Sequence, residues 1–128
     1  MIYTRCAMGI LEKISGVLAD ILDVEASDIE AETYLIRDLN VESIDMLEIA
    51  VSLNAAFNIK VSENDIFLRN LRPYLIEAED MGQAKAPCLV EKFPFLTPDR
   101  VQEILADLDS GPVLKVKDLA GFVAYQTR

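Results

Sequence analysis

A lone serine among carboxylates is the most informative feature of the sequence. Ser43 stands in the run Asp38-Leu39-Asn40-Val41-Glu42-Ser43-Ile44-Asp45-Met46-Leu47-Glu48-Ile49, at the predicted start of a helix. Helix N-termini are electropositive, so acids placed there stabilise a helix by roughly 0.3–1 kcal/mol each. The simplest interpretation makes Ser43 an N-cap residue and the acids partners of the helix dipole.

Calcium binding is an alternative that the alternating acids raise. Asp38, Asn40 and Glu42 have the spacing of the first ligands in an EF-hand loop. Such a loop needs glycine at its sixth position and a bidentate glutamate at its twelfth, where this sequence has Ser43 and Ile49. The pattern therefore does not support a calcium loop, and we predict no metal site.

Nucleophilic catalysis by Ser43 lacks a base. The sequence contains no histidine, which removes His-based triads and His metal ligands. The nearest lysine is Lys60, and no Ser-x-x-Lys spacing involves Ser43. The surrounding carboxylates also repel an oxyanion. Ser43 is better placed to be modified by another enzyme than to attack a substrate, so the chain is not predicted to be an enzyme.

The run resembles the phosphopantetheine attachment site of acyl carrier proteins. That family shows Asp-Leu, Gly, a variable residue and Asp-Ser-Leu followed by Asp or Glu, leading into an amphipathic helix with further acids. Here Ser43 falls on the attachment serine, after Asp38-Leu39 and before Asp45 and Glu48. The resemblance covers about residues 5–68 and 113–127.

Three positions of the run depart from the family pattern. Asn40 replaces glycine, which is a mild change because asparagine also tolerates positive φ. Glu42 replaces aspartate and keeps its charge one methylene further out, and Ile44 replaces leucine.

The resemblance implies a covalent 4'-phosphopantetheine cofactor on Ser43, added by a phosphopantetheinyl transferase. It implies acyl groups carried as thioesters to enzymes of fatty-acid or related lipid and polyketide synthesis, which present basic docking patches. The acids expected to dock them are Asp38, Glu42, Asp45 and Glu48. The side chains expected to line an acyl pocket between the second and third helices are Met46, Ala50, Leu53, Val61 and Ile66, although core packing alone would also make them apolar.

Hydrophobic periodicity predicts an all-α fold. The resemblance implies that this fold is an acyl-carrier-like four-helix bundle with an inserted helical segment. The predicted helices cover residues 7–22, 43 to about 58, 63–71, 73–81 and about 116–126, and one more that begins at Thr97-Pro98 and stops at Ser110-Gly111-Pro112. The apolar face of the second helix is wide, which predicts more burial than usual. Ser62 and Asp65 have capping-box spacing. Irregular chain is expected after Gly82.

The whole chain, residues 1–128, is predicted to be a single carrier domain with an insertion at about 68–112. Ordinary carriers have only a short connection there. The insertion is interpreted as extra packing on one side of the bundle, an extension around the acyl pocket, or a docking surface for one dedicated enzyme.

Acidity is concentrated around the serine. The chain has 12 basic and 22 acidic residues, a net charge of −10, and residues 20–80 alone carry 15 acids and four bases, a net −11. This field attracts basic protein surfaces and argues against nucleic-acid binding. Short, charge-interrupted apolar stretches predict no membrane span. The two widely separated cysteines, Cys6 and Cys88, are interpreted as reduced thiols or as a single disulfide. These observations together predict a cytoplasmic protein. We also expect the protein to be a monomer.

Two other functions stay open at this stage. One is a peptidyl or aminoacyl carrier, which differs in cargo. The other is a helical protein-interaction module with the carrier fold that never receives phosphopantetheine.

Overall fold

The computed structural model describes residues 2–128, with side chains described from Gly9 onward. The described residues form seven α-helices: α1 (Ile2–Leu22), α2 (Ser43–Phe57), α3 (Glu63–Ile66), α4 (Leu71–Asp80), α5 (Lys85–Lys92), α6 (Pro98–Asp107) and α7 (Val116–Thr127). Two 3-10 turns cover Ala26–Asp28 and Leu108–Ser110. Within the described residues the β-type pairing is limited to an isolated bridge between Tyr34 and Lys115, so the all-α prediction is confirmed.

The described helices include none that is both long and apolar enough to cross a membrane. Cys88 is a free, partly buried thiol. The side chain of Cys6, the other predicted thiol or disulfide partner, lies outside the described residues.

Four helices form the frame around the site. α1 packs against both α2 and α7, and the short α3 contacts α7. Each long helix gives fully buried aliphatic side chains to the shared core, namely Ile14, Leu18, Ile49, Leu53, Leu119 and Val123. Their spacings of four along each helix make one apolar stripe per helix, which is the pattern that the sequence showed.

The long acidic loop between α1 and α2 is fixed against the segment before α7. The buried Leu35 donates its backbone N–H to the Leu114 carbonyl at 3.1 Å. Val116 returns a backbone hydrogen bond to the Thr33 carbonyl at 2.9 Å. This loop therefore enters α2 from a defined position.

The third helix is shorter than predicted. α3 ends at Ile66 instead of residue 71, and Ser62 precedes it without a side-chain cap. The predicted Ser62–Asp65 capping box is therefore wrong. Leu68, at φ 54°, adopts the left-handed conformation and turns the chain before α4 begins at Leu71.

Residues after Gly82 were expected to be irregular, and this prediction is wrong because α5 covers Lys85–Lys92. The positions of two prolines explain why the predicted bounds differ from the observed helices. Pro87 is the third residue of α5, and Pro73 is the third residue of α4, which begins two residues before the predicted start. A first-turn N–H has no intrahelical partner, so proline costs no hydrogen bond there.

Aromatic side chains join the segment 68–112 to the frame. Tyr74, Phe93, Phe95 and Phe122 form a chain of neighbouring rings, with centroid separations of 5.7, 6.1 and 5.2 Å in that order. The last two contacts have the edge-to-face geometry that aromatic pairs prefer. The packing runs from α4 through the chain before α6 to α7.

A buried ion pair makes the second connection between segment and frame. Arg100 of α6 donates through Nε and Nη2 to the two carboxylate oxygens of Asp118 on α7, at 2.7 and 2.8 Å. Their side chains are 7% and 1% exposed. Asp118 also accepts the Lys115 backbone N–H at 2.9 Å and so caps α7. One carboxylate thus closes the start of α7 and holds α6 against it.

Exposed and half-buried charges surround this pair. Hydrogen bonds from Lys115 and Lys117 lower the pKa of Glu32 to about 2. A hydrogen bond from Lys117 lowers the pKa of Glu103. At the C-terminal end of α6, hydrogen bonds from the Tyr34 hydroxyl and from Arg37 lower the pKa of Asp107. These contacts tie the α1–α2 loop to the segment 68–112.

Replacing Asp118 is expected to destabilise the whole fold. Asp118→Ala leaves the buried Arg100 guanidinium without its counter-ion and removes the α7 cap, so the free energy of unfolding should fall by about 3–5 kcal/mol. Urea denaturation followed by circular dichroism measures this. The control is Glu103→Ala, whose half-exposed carboxylate also contacts Arg100, at 3.3 Å, and which should cost less than about 1 kcal/mol. Equal losses in the two variants would contradict the assignment.

Candidate functional site

Ser43 is the first residue of α2 and is exposed to solvent. The preceding residue, Glu42, is the N-cap, so the interpretation of Ser43 as the cap is wrong. Its hydroxyl makes no hydrogen bond to any described residue. The oxygen is therefore free for chemistry at an electropositive helix end.

The turn before α2 depends on Asn40. Its φ of 58° places it in the left-handed region, where the family pattern has glycine. Asparagine reaches this region with little strain, as expected. The turn is closed by the Asn40 backbone N–H bonding to the Ile36 carbonyl at 3.1 Å, and by Asp38, which accepts the Tyr34 backbone N–H at 2.9 Å.

The four acids predicted to dock partners divide by the contacts they make. Asp45 accepts the Glu42 backbone N–H at 2.9 Å and forms a capping box with Glu42 at the start of α2, while Asp38 stabilises the turn. Asp38, Glu42 and Glu48 are exposed, and Asp45 is half-buried. Glu48 bonds to no described residue and therefore presents the charge that is most available to another protein.

Three exposed apolar residues form a stripe along α2, which we call the α2 stripe: Ile44, Leu47 and Val51. They are 66%, 52% and 61% exposed. The prediction that this helix is more buried than usual is wrong. An apolar face wider than a helix can bury against one core must leave some side chains in solvent, and that width was the signal that could have revealed the stripe.

A groove of about 260 Å³ adjoins this stripe, between α2 and the chain that leads to α3. Its lining consists of Leu47, Ala50, Val51, Asn54, Lys60, Val61 and Glu63. Two of the five predicted acyl-pocket residues, Ala50 and Val61, line it. Leu53 and Ile66 are fully buried in the core, and Met46 packs partly buried against it.

The arrangement brings the accessible Ser43 hydroxyl and a partly apolar groove together on α2. Four carboxylates lie around the start of this helix, and we call them the acidic rim: Asp38, Glu42, Asp45 and Glu48. Ser43, the α2 stripe and the groove all lie on or beside the same helix. The described residues near Ser43 include no histidine, the side chain that most often activates a serine hydroxyl. The arrangement offers an exposed hydroxyl that another protein can reach, with apolar surface beside it.

Comparisons with known proteins point to one family. The family model for the phosphopantetheine attachment site matches residues 12–72. An acyl carrier protein from Chlamydia caviae is 31% identical over 58 residues, which is 45% of this chain and 75% of that protein. Acyl carrier proteins from Nitratidesulfovibrio vulgaris (31% over 58 residues, 45% and 76%) and Helicobacter pylori (32% over 56 residues, 44% and 72%) are similar as well. No solved structure matches the chain significantly.

The division of the four acids is testable by stability measurements. Asp45→Ala removes the acceptor for the Glu42 N–H and a charge at the positive end of α2, so unfolding free energy should fall by about 1 kcal/mol. Glu48→Ala removes a carboxylate that bonds to no described residue and should change it by less than about 0.5 kcal/mol. Urea denaturation compares the two variants. A Glu48 variant as unstable as the Asp45 variant would contradict the division.

Proposed function

The chain belongs to the acyl carrier protein family, and on that premise we propose that Ser43 is the residue to which its prosthetic group is attached. Members of this family are carriers and not enzymes, and their cofactor is a covalently bound 4'-phosphopantetheine. The observation that carries the proposal is the free, exposed hydroxyl of Ser43 on the first turn of α2.

The helix backbone at Ser43 suits a phosphate ester. The first N–H groups of a helix and its dipole favour a negative charge at this end. Asp45 is occupied in capping, which leaves its carboxylate directed to the Glu42 N–H. When bound, the cofactor supplies a terminal thiol that holds an acyl group as a thioester, so neither Cys6 nor Cys88 is required for loading.

The acidic rim and the α2 stripe together support docking of partner enzymes. Exposed Glu42 and Glu48 attract basic patches, and Asp38 and Asp45 add charge from their capping positions. Ile44 and Leu47 offer apolar area next to Ser43 that a partner can bury. Such partners include a phosphopantetheinyl transferase and enzymes that transfer or modify acyl groups.

The apolar groove supports a place for the start of an acyl chain. Ala50 and Val61 line it, and Leu47 lies one helical turn from Ser43. Leu53 and Ile66 form the core behind it, so they become accessible to a chain only if the groove deepens. Met46 is partly buried against the core, so its exposure lies between that of the groove residues and that of the core residues.

Membership of the family does not fix the pathway, the cellular location or the oligomeric state. Service in fatty-acid or related lipid and polyketide synthesis, a cytoplasmic location and a monomeric state stay predictions. A peptidyl or aminoacyl cargo is distinguished by intact-mass analysis of protein isolated from its native cell.

Attachment at Ser43 is tested by mass. Incubation of the full chain with coenzyme A and a broad-specificity phosphopantetheinyl transferase should add the mass of one phosphopantetheine group. The matched control is Ser43→Ala, with Ser52→Ala as a second α2 serine that should still be modified. No gain in the native chain would refute the proposal and favour an unmodified interaction module. A gain that survives Ser43→Ala would also refute it, because the group would then be attached to another residue.

Charge reversal tests docking. Glu48→Lys is expected to lower kcat/KM for transfer of the arm at least about fivefold at low salt, because it places a positive charge where a basic partner approaches. Raising the salt should shrink the difference. Glu91→Lys makes the same change at an exposed position of α5 and should leave kcat/KM unchanged. Unchanged kinetics of the Glu48 variant at low salt would exclude this residue from docking.

A further inference from the structure

A second cavity opens on the other side of α3, where the segment 68–112 leaves and rejoins the frame. We call it the junction cavity. It has a volume of about 320 Å³ and an apolar lining from Phe67, Leu68, Leu71 and Leu114, with Arg69 and Arg72 also at its surface. The volume is at the lower end of what small-ligand sites occupy, and an apolar lining with a few polar groups is their usual composition.

The segment 68–112 helps to create this cavity. Leu71, Arg72 and Pro73 from its start and Pro112 from its end all contribute to the lining. Leu68 forms part of the wall with a left-handed backbone, at φ 54°. A bulky residue keeps that conformation only where its surroundings enforce it, so the wall is held in shape by packing.

The charge of the cavity is opposite to that of the chain. Arg72 of α4 lines the cavity, and its Nη2 donates to the Leu108 carbonyl at 2.9 Å. Arg69 contacts Glu63 at 3.5 Å. Each guanidinium carries five N–H donors, so most of them remain available to a ligand. Among the described residues that line the cavity none is acidic.

From this composition we propose that the junction cavity binds an amphiphile with a short apolar chain and a single anionic head, such as a medium-chain carboxylate. The apolar lining buries the chain, and Arg69 and Arg72 pair with the head. Arginine is suited to this because its planar fork of donors matches a carboxylate. The inference does not depend on a phosphopantetheine arm at Ser43.

The site is connected to the start of α2 through the loop before it. Ile36 contributes to the lining of the cavity. Its neighbour Leu35 accepts a hydrogen bond from the Val41 N–H at 3.1 Å, and Val41 lies two residues before Ser43. A ligand in the junction cavity therefore contacts the element that positions the serine.

The test uses octanoate, with 1-octanol as a neutral probe of the same chain length, and the full-length Ser43→Ala protein, which cannot be loaded at that serine. Calorimetric titration at 0.15 M salt should show saturable binding of one octanoate. The double variant Arg69→Gln/Arg72→Gln should weaken octanoate binding at least about tenfold and change octanol binding by less than about twofold. The single variant Arg69→Gln leaves the Arg72–Leu108 hydrogen bond intact, and it should also weaken octanoate binding.

The matched control is Lys60→Gln, which removes one positive charge beside the α2 groove and should leave octanoate affinity unchanged. Methyl chemical shifts should move at Leu68 and Leu114 and not at Leu47 and Val51. Three results would overturn the proposal. The first is that octanoate shows no saturable binding at concentrations up to about ten times the solubility limit of octanol. The second is an octanoate affinity that neither arginine substitution changes, and the third is loss of octanoate binding in Lys60→Gln together with chemical-shift changes along α2. Because Ser43 is absent from the tested protein, none of these outcomes bears on its attachment role.

Discussion

The carboxylate of Asp118 joins the segment 68–112 to the four-helix frame. It caps α7, a helix of the four-helix frame, and it neutralises Arg100 of α6, which belongs to the segment 68–112. A buried ion pair gains little over apolar packing, but a buried charge that loses its partner is strongly destabilising. The segment and the frame are therefore energetically dependent on each other, and the aromatic contacts from Tyr74 to Phe122 add area to the same junction.

The start of α2 is left uncovered by this arrangement. α4 packs against α5 and α5 against α6, the segment reaches α7 through Phe95 and Arg100, and α2 packs against α1. Ser43, Glu48 and the α2 stripe consequently remain open to solvent. Of the three interpretations of the segment, extra packing on one side of the bundle agrees best with these contacts, and the junction cavity shows that the packing is incomplete.

Much of the frame could be predicted from the sequence, because its helices combine clear periodicity with strong end signals. Thr97 does cap α6, by accepting the Arg100 backbone N–H, and α2 begins at the predicted Ser43. The errors have local causes. Pro87 and Pro73 look like helix breakers unless their place in the first turn is known, and the ends of α3 depend on the backbone of Leu68. At the site, residue types revealed Ser43 and its acids, but only three-dimensional contacts separate capping Asp45 from exposed Glu48.

The two ends of the segment 68–112 lie against a common cavity, since Leu68 and Val113 both line it. A chain that departs and returns at neighbouring points can lengthen or shorten without displacing what lies on either side. The entropic cost of closing a loop also grows only slowly with its length, by about 0.6 kcal/mol for each doubling. Such geometry lets this segment change in length while α2 keeps its shape, and it marks the same position as a place where protein engineers can exchange one segment for another.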